Sequence, residues 1–80
     1  MVMELEPISY SEDDILWITQ CLSVVADGGM WIIPDNMSYI RFHKKAKEYE
    51  LLEGDPNDRT NRITFAILEN ELGYKRKESG

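Results

Sequence analysis

The residues able to do chemistry are few: His43 is the single imidazole and Cys21 the single thiol in an 80-residue chain. A hydrolytic triad needs a nucleophile and an orienting acid converging on a histidine. The sequence pattern sets His43 beside Glu48 near the tip of a hairpin. It puts Ser38 on the opposite side of the same sheet and Cys21 midway along a buried helix, so neither nucleophile reaches the ring. A closed zinc site takes several Cys or His ligands, and one of each cannot supply it. Asp55 and Asn57 have calcium-loop spacing. Arg59 then falls on a ligand position, no glycine marks the sharp turn, and Ala66 stands where a bidentate Glu belongs. Gly28 and Gly29 follow a helix and precede a strand, the reverse of the order in which glycine loops cradle phosphate. The expectation is a non-enzymatic chain with no cofactor and no metal.

Binding chemistry is better represented. Tyr39, Arg41, Lys44, Lys45 and Lys47 gather a stacking ring and positive charge on one hairpin, the pattern of a nucleic-acid contact. Against it, Glu48, Glu50 and Glu53 lie on the adjacent strand, and the formal net charge is −6 at pH 7. Proteins that hold nucleic acid by neutralising phosphates usually present a dense Lys/Arg surface. The balance favours a protein partner, a basic one, with the basic hairpin as the nucleic-acid alternative.

The elements that position these groups follow from pattern. Ser11 with Asp14 reads as a capping box, and Tyr10 with Ile15 as a hydrophobic staple. Glu12, Asp13 and Asp14 then lie in a first helical turn, where the helix dipole favours acids. From Ile15 to Ala26 apolar residues sweep a wide arc that leaves only a narrow polar strip, predicting a mostly buried helix ended by Gly28 or Gly29. From Met30 to Leu52 the period falls to two, and Pro34–Met37 and Lys44–Lys47 have turn chemistry. The resulting meander pairs Trp31 with Ile40, Ile33 with Ser38, Ile40 with Leu51, Phe42 with Tyr49, Arg41 with Glu50 and His43 with Glu48. Apolar groups meet apolar groups, and charges meet opposite charges.

Asp55 or Thr60 can cap the last helix, with Pro56 at its first position and Gly73 at its end. Residues 62–68 also alternate like a strand, and helix is favoured because Glu69–Leu72 lead into Gly73. As a helix it carries two apolar stripes. Ile63 and Ile67 form one of them, a possible dimer face. The predicted fold class is α+β: an N-terminal helix, a three-stranded antiparallel meander and a C-terminal helix.

The same register puts Met30, Ile32, Tyr39, Arg41 and Leu52 on the outer face of the sheet, where a half-solvated sheet would carry polar groups. Either the C-terminal helix or the 1–9 segment covers this patch, or it is a protein interface.

Length allows one domain, 1–80, with residues 1–9 and 75–80 expected to be flexible. A hydrophobic fraction of 42% with eight aromatics suits a folded core. The lone cysteine and the acidic start predict a reducing, cytoplasmic setting. The longest apolar runs fall far short of the roughly 20 residues that cross a bilayer, so no membrane partner is expected.

Gly29, Trp31, Ile33 and Pro34 form a Gly-x-Trp-x-Ile-Pro stretch behind an N-terminal helix. Over roughly Ile15 to Phe42 the chain resembles small accessory proteins of tailed phages and prophages, and it departs from them after Leu52. That group has no assigned chemistry, so no functional residue is carried over. The resemblance implies a protein that binds a host protein or complex, such as a defence system or a polymerase, and inhibits or redirects it.

Overall fold

The computed structural model describes residues 8–77. Within them the chain runs α1 (Glu12–Val24), β1 (Met30–Ile33), β2 (Ser38–His43), β3 (Glu48–Glu53), α2 (Arg59–Asn70) and β4 (Lys75–Arg76). The fold is α+β, with two helices on a four-stranded mixed sheet of order β1-β2-β3-β4. Of the expected flexible termini, residues 1–7 and 78–80 lie outside the described residues.

Both hairpins form in the register that side-chain pairing dictates. Trp31 faces Ile40 and Ile33 faces Ser38, while Ile40 pairs with Leu51, Phe42 with Tyr49, Arg41 with Glu50 and His43 with Glu48. Each bend closes through a left-handed residue, Met37 or Lys47, both at φ 57°. An irregularity between Tyr39 and Ile40 shifts the end of the ladder, so Glu53, not Leu52, stands opposite Tyr39.

α1 starts as its capping box requires. Ser11 Oγ accepts from the Asp14 amide at 3.3 Å, and the Ser11 amide donates to Asp14 Oδ2 at 3.1 Å. The helix is less buried than its apolar arc implies: only Ile18 is fully buried, and Val24 is 83% exposed. A single small sheet cannot cover so wide an arc. Nor do the glycines cap it, because Val25 ends the helix in an extended conformation. Gly28, at φ +79°, instead turns the chain so that its amide donates to Phe42 O at 2.7 Å, while Gly29 O accepts from Phe42 N at 3.0 Å. The paired glycines start the sheet.

α2 is a helix throughout residues 62–68, and its cap is Asp58, not Asp55 or Thr60, so Pro56 lies before the helix and not at its first position. Asp55 is already spent on its own turn, accepting from the Asn57 amide at 2.9 Å, which leaves Asp58 Oδ1 to accept from the Thr60 amide at 3.0 Å. Gly73, at φ +75°, follows the helix as expected, and the Tyr74 amide closes back on Leu68 O at 2.8 Å. The chain then pairs again where a loose end was expected: β4 lies parallel to β3, with Lys75 N donating to Lys47 O at 2.9 Å and Lys77 N to Tyr49 O at 2.7 Å.

Both helices cover the same side of the sheet. Trp17 meets Trp31 edge-on at 5.3 Å, Phe65 stacks on Tyr49 at 5.2 Å, and Ile18, Ile67 and Leu68 join Ile33, Ile40, Phe42 and Tyr49 in one fully buried cluster. Each such side chain contributes about 1.5–3 kcal/mol on burial, so this inner face holds the fold. α2 packs against α1 as well as the sheet, which gives both of its apolar stripes a partner. Ile67 is therefore fully buried and Ile63 packs against the core, so the proposed dimer face is not a surface.

Candidate functional site

Strand alternation fixes the composition of the other sheet face. Opposite residues share a side, and successive residues change side. The outer face therefore carries Met30 and Ile32 from β1, Tyr39, Arg41 and His43 from β2, Glu48, Glu50 and Glu53 from β3, and Lys75 from β4. It divides into two halves. Towards β1 it is apolar: Met30 is 48% and Ile32 40% exposed, with Leu52 39% exposed at the irregular end of β3 and Met37 60% exposed in the bend. Towards β4 it is ionic, and His43 Nε2 pairs diagonally with Glu50 Oε1 at 3.3 Å.

α2 lies on the inner side, so of the two possible covers the C-terminal helix is not one. The other, the 1–9 segment, falls mostly outside the described residues. Ile32 and Tyr39 stand directly opposite each other and Arg41 is exposed beside Met30, so the five residues singled out from sequence lie on one side or at its rim. Sequence reasoning missed Met37, whose left-handed backbone at the bend is not a conformation methionine advertises.

The basic hairpin is not a single surface. Lys44 reaches under α1, where its Nζ donates to Leu22 O at 2.9 Å and to Val25 O at 3.0 Å, neutralising the carbonyl end of that helix. Lys47 turns toward the end of α2, with Nζ 3.5 Å from Leu72 O and 5.3 Å from the centre of the Tyr74 ring. The Lys45 amide bonds Asp27 Oδ1 at 3.3 Å. Tyr39 and Arg41 look out from the sheet, so the groups of the nucleic-acid alternative do not converge.

The groups considered for catalysis are also apart. Ser38 is buried and accepts from Asn61 Nδ2 at 2.9 Å, on the side of the sheet away from His43. Burial pushes the Cys21 thiol above its ordinary value, which keeps it protonated at neutral pH. Asp55 and Asp58 are engaged by backbone amides at the start of α2. Among the described residues no three His, Cys, Asp or Glu side chains gather as a metal site would require, and no helix is long and apolar enough to cross a membrane.

Among the described residues, fold and site together define a two-layer α+β arrangement with one sheet face that neither α1 nor α2 covers. No family model, curated protein or solved structure matches the chain. The resemblance to phage accessory proteins thus rests on Gly29, Trp31, Ile33 and Pro34.

Proposed function

We propose that this chain is a non-enzymatic protein-binding module that docks through the open face of its sheet. The observation that carries the reading is the exposure of Met30, Ile32 and Leu52 while both helices pack on the other side. With 39–48% of each still exposed, these three apolar side chains forgo a little under half of the roughly 1.5–3 kcal/mol that full burial of each supplies, a cost a partner recovers. Tyr39 and Arg41 beside them are residue types that anchor protein interfaces. The resemblance to tailed-phage accessory proteins extends the proposal to a host protein or complex, which docking would inhibit or redirect.

The test is affinity capture with wild type and with Tyr39→Ala plus Leu52→Glu. A protein retained by the first and lost from the second, with both chains folded, supports the reading. Equal capture by the two, or none by either, contradicts it.

A further inference from the structure

The outward side of α1 is apolar where a surface helix ordinarily carries its polar face. Its exposed residues Glu12, Asp13, Leu16, Gln20, Ser23 and Val24 fall on one stripe, at the three- and four-residue spacing of a single helix face. Leu16 is 55% exposed and Val24 83%, more than any other large apolar side chain among the described residues. The hydroxyls beside them add little polarity, because both donate to their own helix: Thr19 Oγ1 to Ile15 O at 2.7 Å and Ser23 Oγ to Gln20 O at 2.7 Å. No charged residue occurs from Leu16 to Ala26. The stripe is aliphatic at both ends, with one side-chain amide, Gln20, midway between them.

Charge is distributed lengthwise. Glu12, Asp13 and Asp14 occupy the first turn of α1, and no base lies in its last. Positive charge reaches that far end from the β2–β3 bend, where Lys44 Nζ donates to Leu22 O and Val25 O, and the amide of exposed Lys45 donates to Asp27 Oδ1. Two lysines against one aspartate leave that end basic. A second copy packed parallel along the stripe would set the first-turn acids of the two helices together and align their dipoles. Antiparallel packing about a two-fold axis at Gln20 does the reverse. Leu16 of each copy then meets Val24 of the other, the dipoles oppose, and Glu12 and Asp13 arrive at the lysines of the bend. The surface is self-complementary, as an isologous contact requires. The axis also brings the two Gln20 carboxamides together, each with a donor for the other's acceptor.

We propose that the outward stripe of α1 is the interface between two copies of this chain, packed antiparallel about Gln20. α1 lies on the helical side of the sheet, so a dimer joined through it leaves the open sheet face of each copy available to a partner. The inference goes beyond the face-binding reading and does not depend on it.

Light scattering on the full chain should pass from the monomer mass to twice that value as concentration rises. Val24→Glu should weaken association about tenfold or more while leaving the far-ultraviolet circular dichroism of the fold unchanged, since the side chain it replaces is already in solvent. Lys45→Glu should weaken association as well, and adding Glu12→Lys with Asp13→Lys should recover most of the loss, which only charges facing each other across the interface would do. Gln20→Cys in a Cys21→Ser chain should close a disulfide between copies under oxidised glutathione. Glu12→Cys in the same background should not, because antiparallel packing holds those two positions about 24 Å apart along the helix axis.

A monomer at every concentration overturns the proposal, and so does a dimer that Val24→Glu leaves intact. Failure of the reversed charges to recover association, or a disulfide at Glu12→Cys in place of Gln20→Cys, overturns the antiparallel arrangement. A chain that stays monomeric but loses a captured protein on Val24→Glu would assign the stripe to another protein and overturn the second copy as its occupant. Tyr39→Ala plus Leu52→Glu should leave the dimer unchanged, and a dimer lost with that variant would place the second copy on the sheet face. If partner capture fails while the α1 dimer persists, the face reading falls and this interface stands.

Discussion

Asn61 and Ser38, both fully buried, are joined by a bond of 2.9 Å from the amide nitrogen to the hydroxyl oxygen. Asn61 Nδ2 also donates to Asp55 O at 2.8 Å, and its Oδ1 accepts from Asn36 at 3.0 Å. Asn36 in turn donates to Asp58, the α2 cap, at 2.8 Å and accepts from the Ser38 amide at 3.0 Å. One side chain thus ties the first bend, the start of β2 and the loop before α2 to the helix that packs on them.

Replacing Asn61 by Leu is expected to destabilise the protein by about 2–4 kcal/mol, because it leaves the Asp55 carbonyl and the Asn36 amide without their buried partner. Urea unfolding measures it. A loss under about 0.5 kcal/mol would mean that water replaces the network at no cost.

Gly54 closes over the same network. Its φ is +127°, and a Cβ there would come within 2.2 Å of Ser38 Oγ and 2.7 Å of Ser38 Cβ. Gly54→Ala should therefore cost about 2 kcal/mol or more. At Gly73, where φ is +75° and the Cβ position is open, the same change should cost only about 1 kcal/mol. Thermal unfolding of the two variants side by side checks the difference.

Lys44 is expected to act as a helix cap rather than a ligand contact. Lys44→Met keeps the stem and removes the donors to Leu22 and Val25, so the last turn of α1 should exchange its amides faster, with a stability loss of about 1–2 kcal/mol. Lys45, whose side chain is exposed, should be replaceable by Ala within about 0.5 kcal/mol. Equal effects at the two lysines would remove the capping role.

Alkaline pH should unfold the protein through its phenols. Burial, and then a hydrogen bond to Glu69, hold the Tyr49 phenol well above its ordinary value of 10.0, with Arg76 opposing weakly. Burial raises Tyr74 as well, with Asp27 adding to it. A raised folded-state value means the fold favours the protonated phenol. That contribution is complete below pH 10 and is lost as pH rises above it, because the unfolded chain releases its proton first. Tyr49→Phe should flatten the decline of stability above about pH 10, leaving the part due to Tyr74. An unchanged slope would show that Tyr49 does not contribute.

Much of this fold could be read from the sequence, for identifiable reasons. The hairpins were legible because Phe42 with Tyr49 and Arg41 with Glu50 satisfy each other only in one register. The fourth strand was not, because Lys75 and Arg76 carry no apolar pattern. They are held by backbone bonds to β3 and by the Arg76 guanidinium 5.3 Å from the centre of the Phe65 ring. The α2 cap was missed because Asp55, Asp58 and Thr60 are equivalent on paper until one is used by its own turn. For the candidate site, alternation identified Met30, Ile32 and Tyr39 as one face. It could not say that both helices would choose the other side, and the cap made by Lys44 spans 19 and 22 residues of chain, beyond any local signal.

The open sheet face is tested most directly by urea unfolding of the Tyr39→Ala, Leu52→Glu protein alongside the wild type. The half-exposed positions predict a cooperative transition within about 1 kcal/mol of wild type, in a protein that no longer holds its partner. A loss of about 3 kcal/mol or more, the scale of a disrupted core, would contradict an open face and place these side chains in the interior.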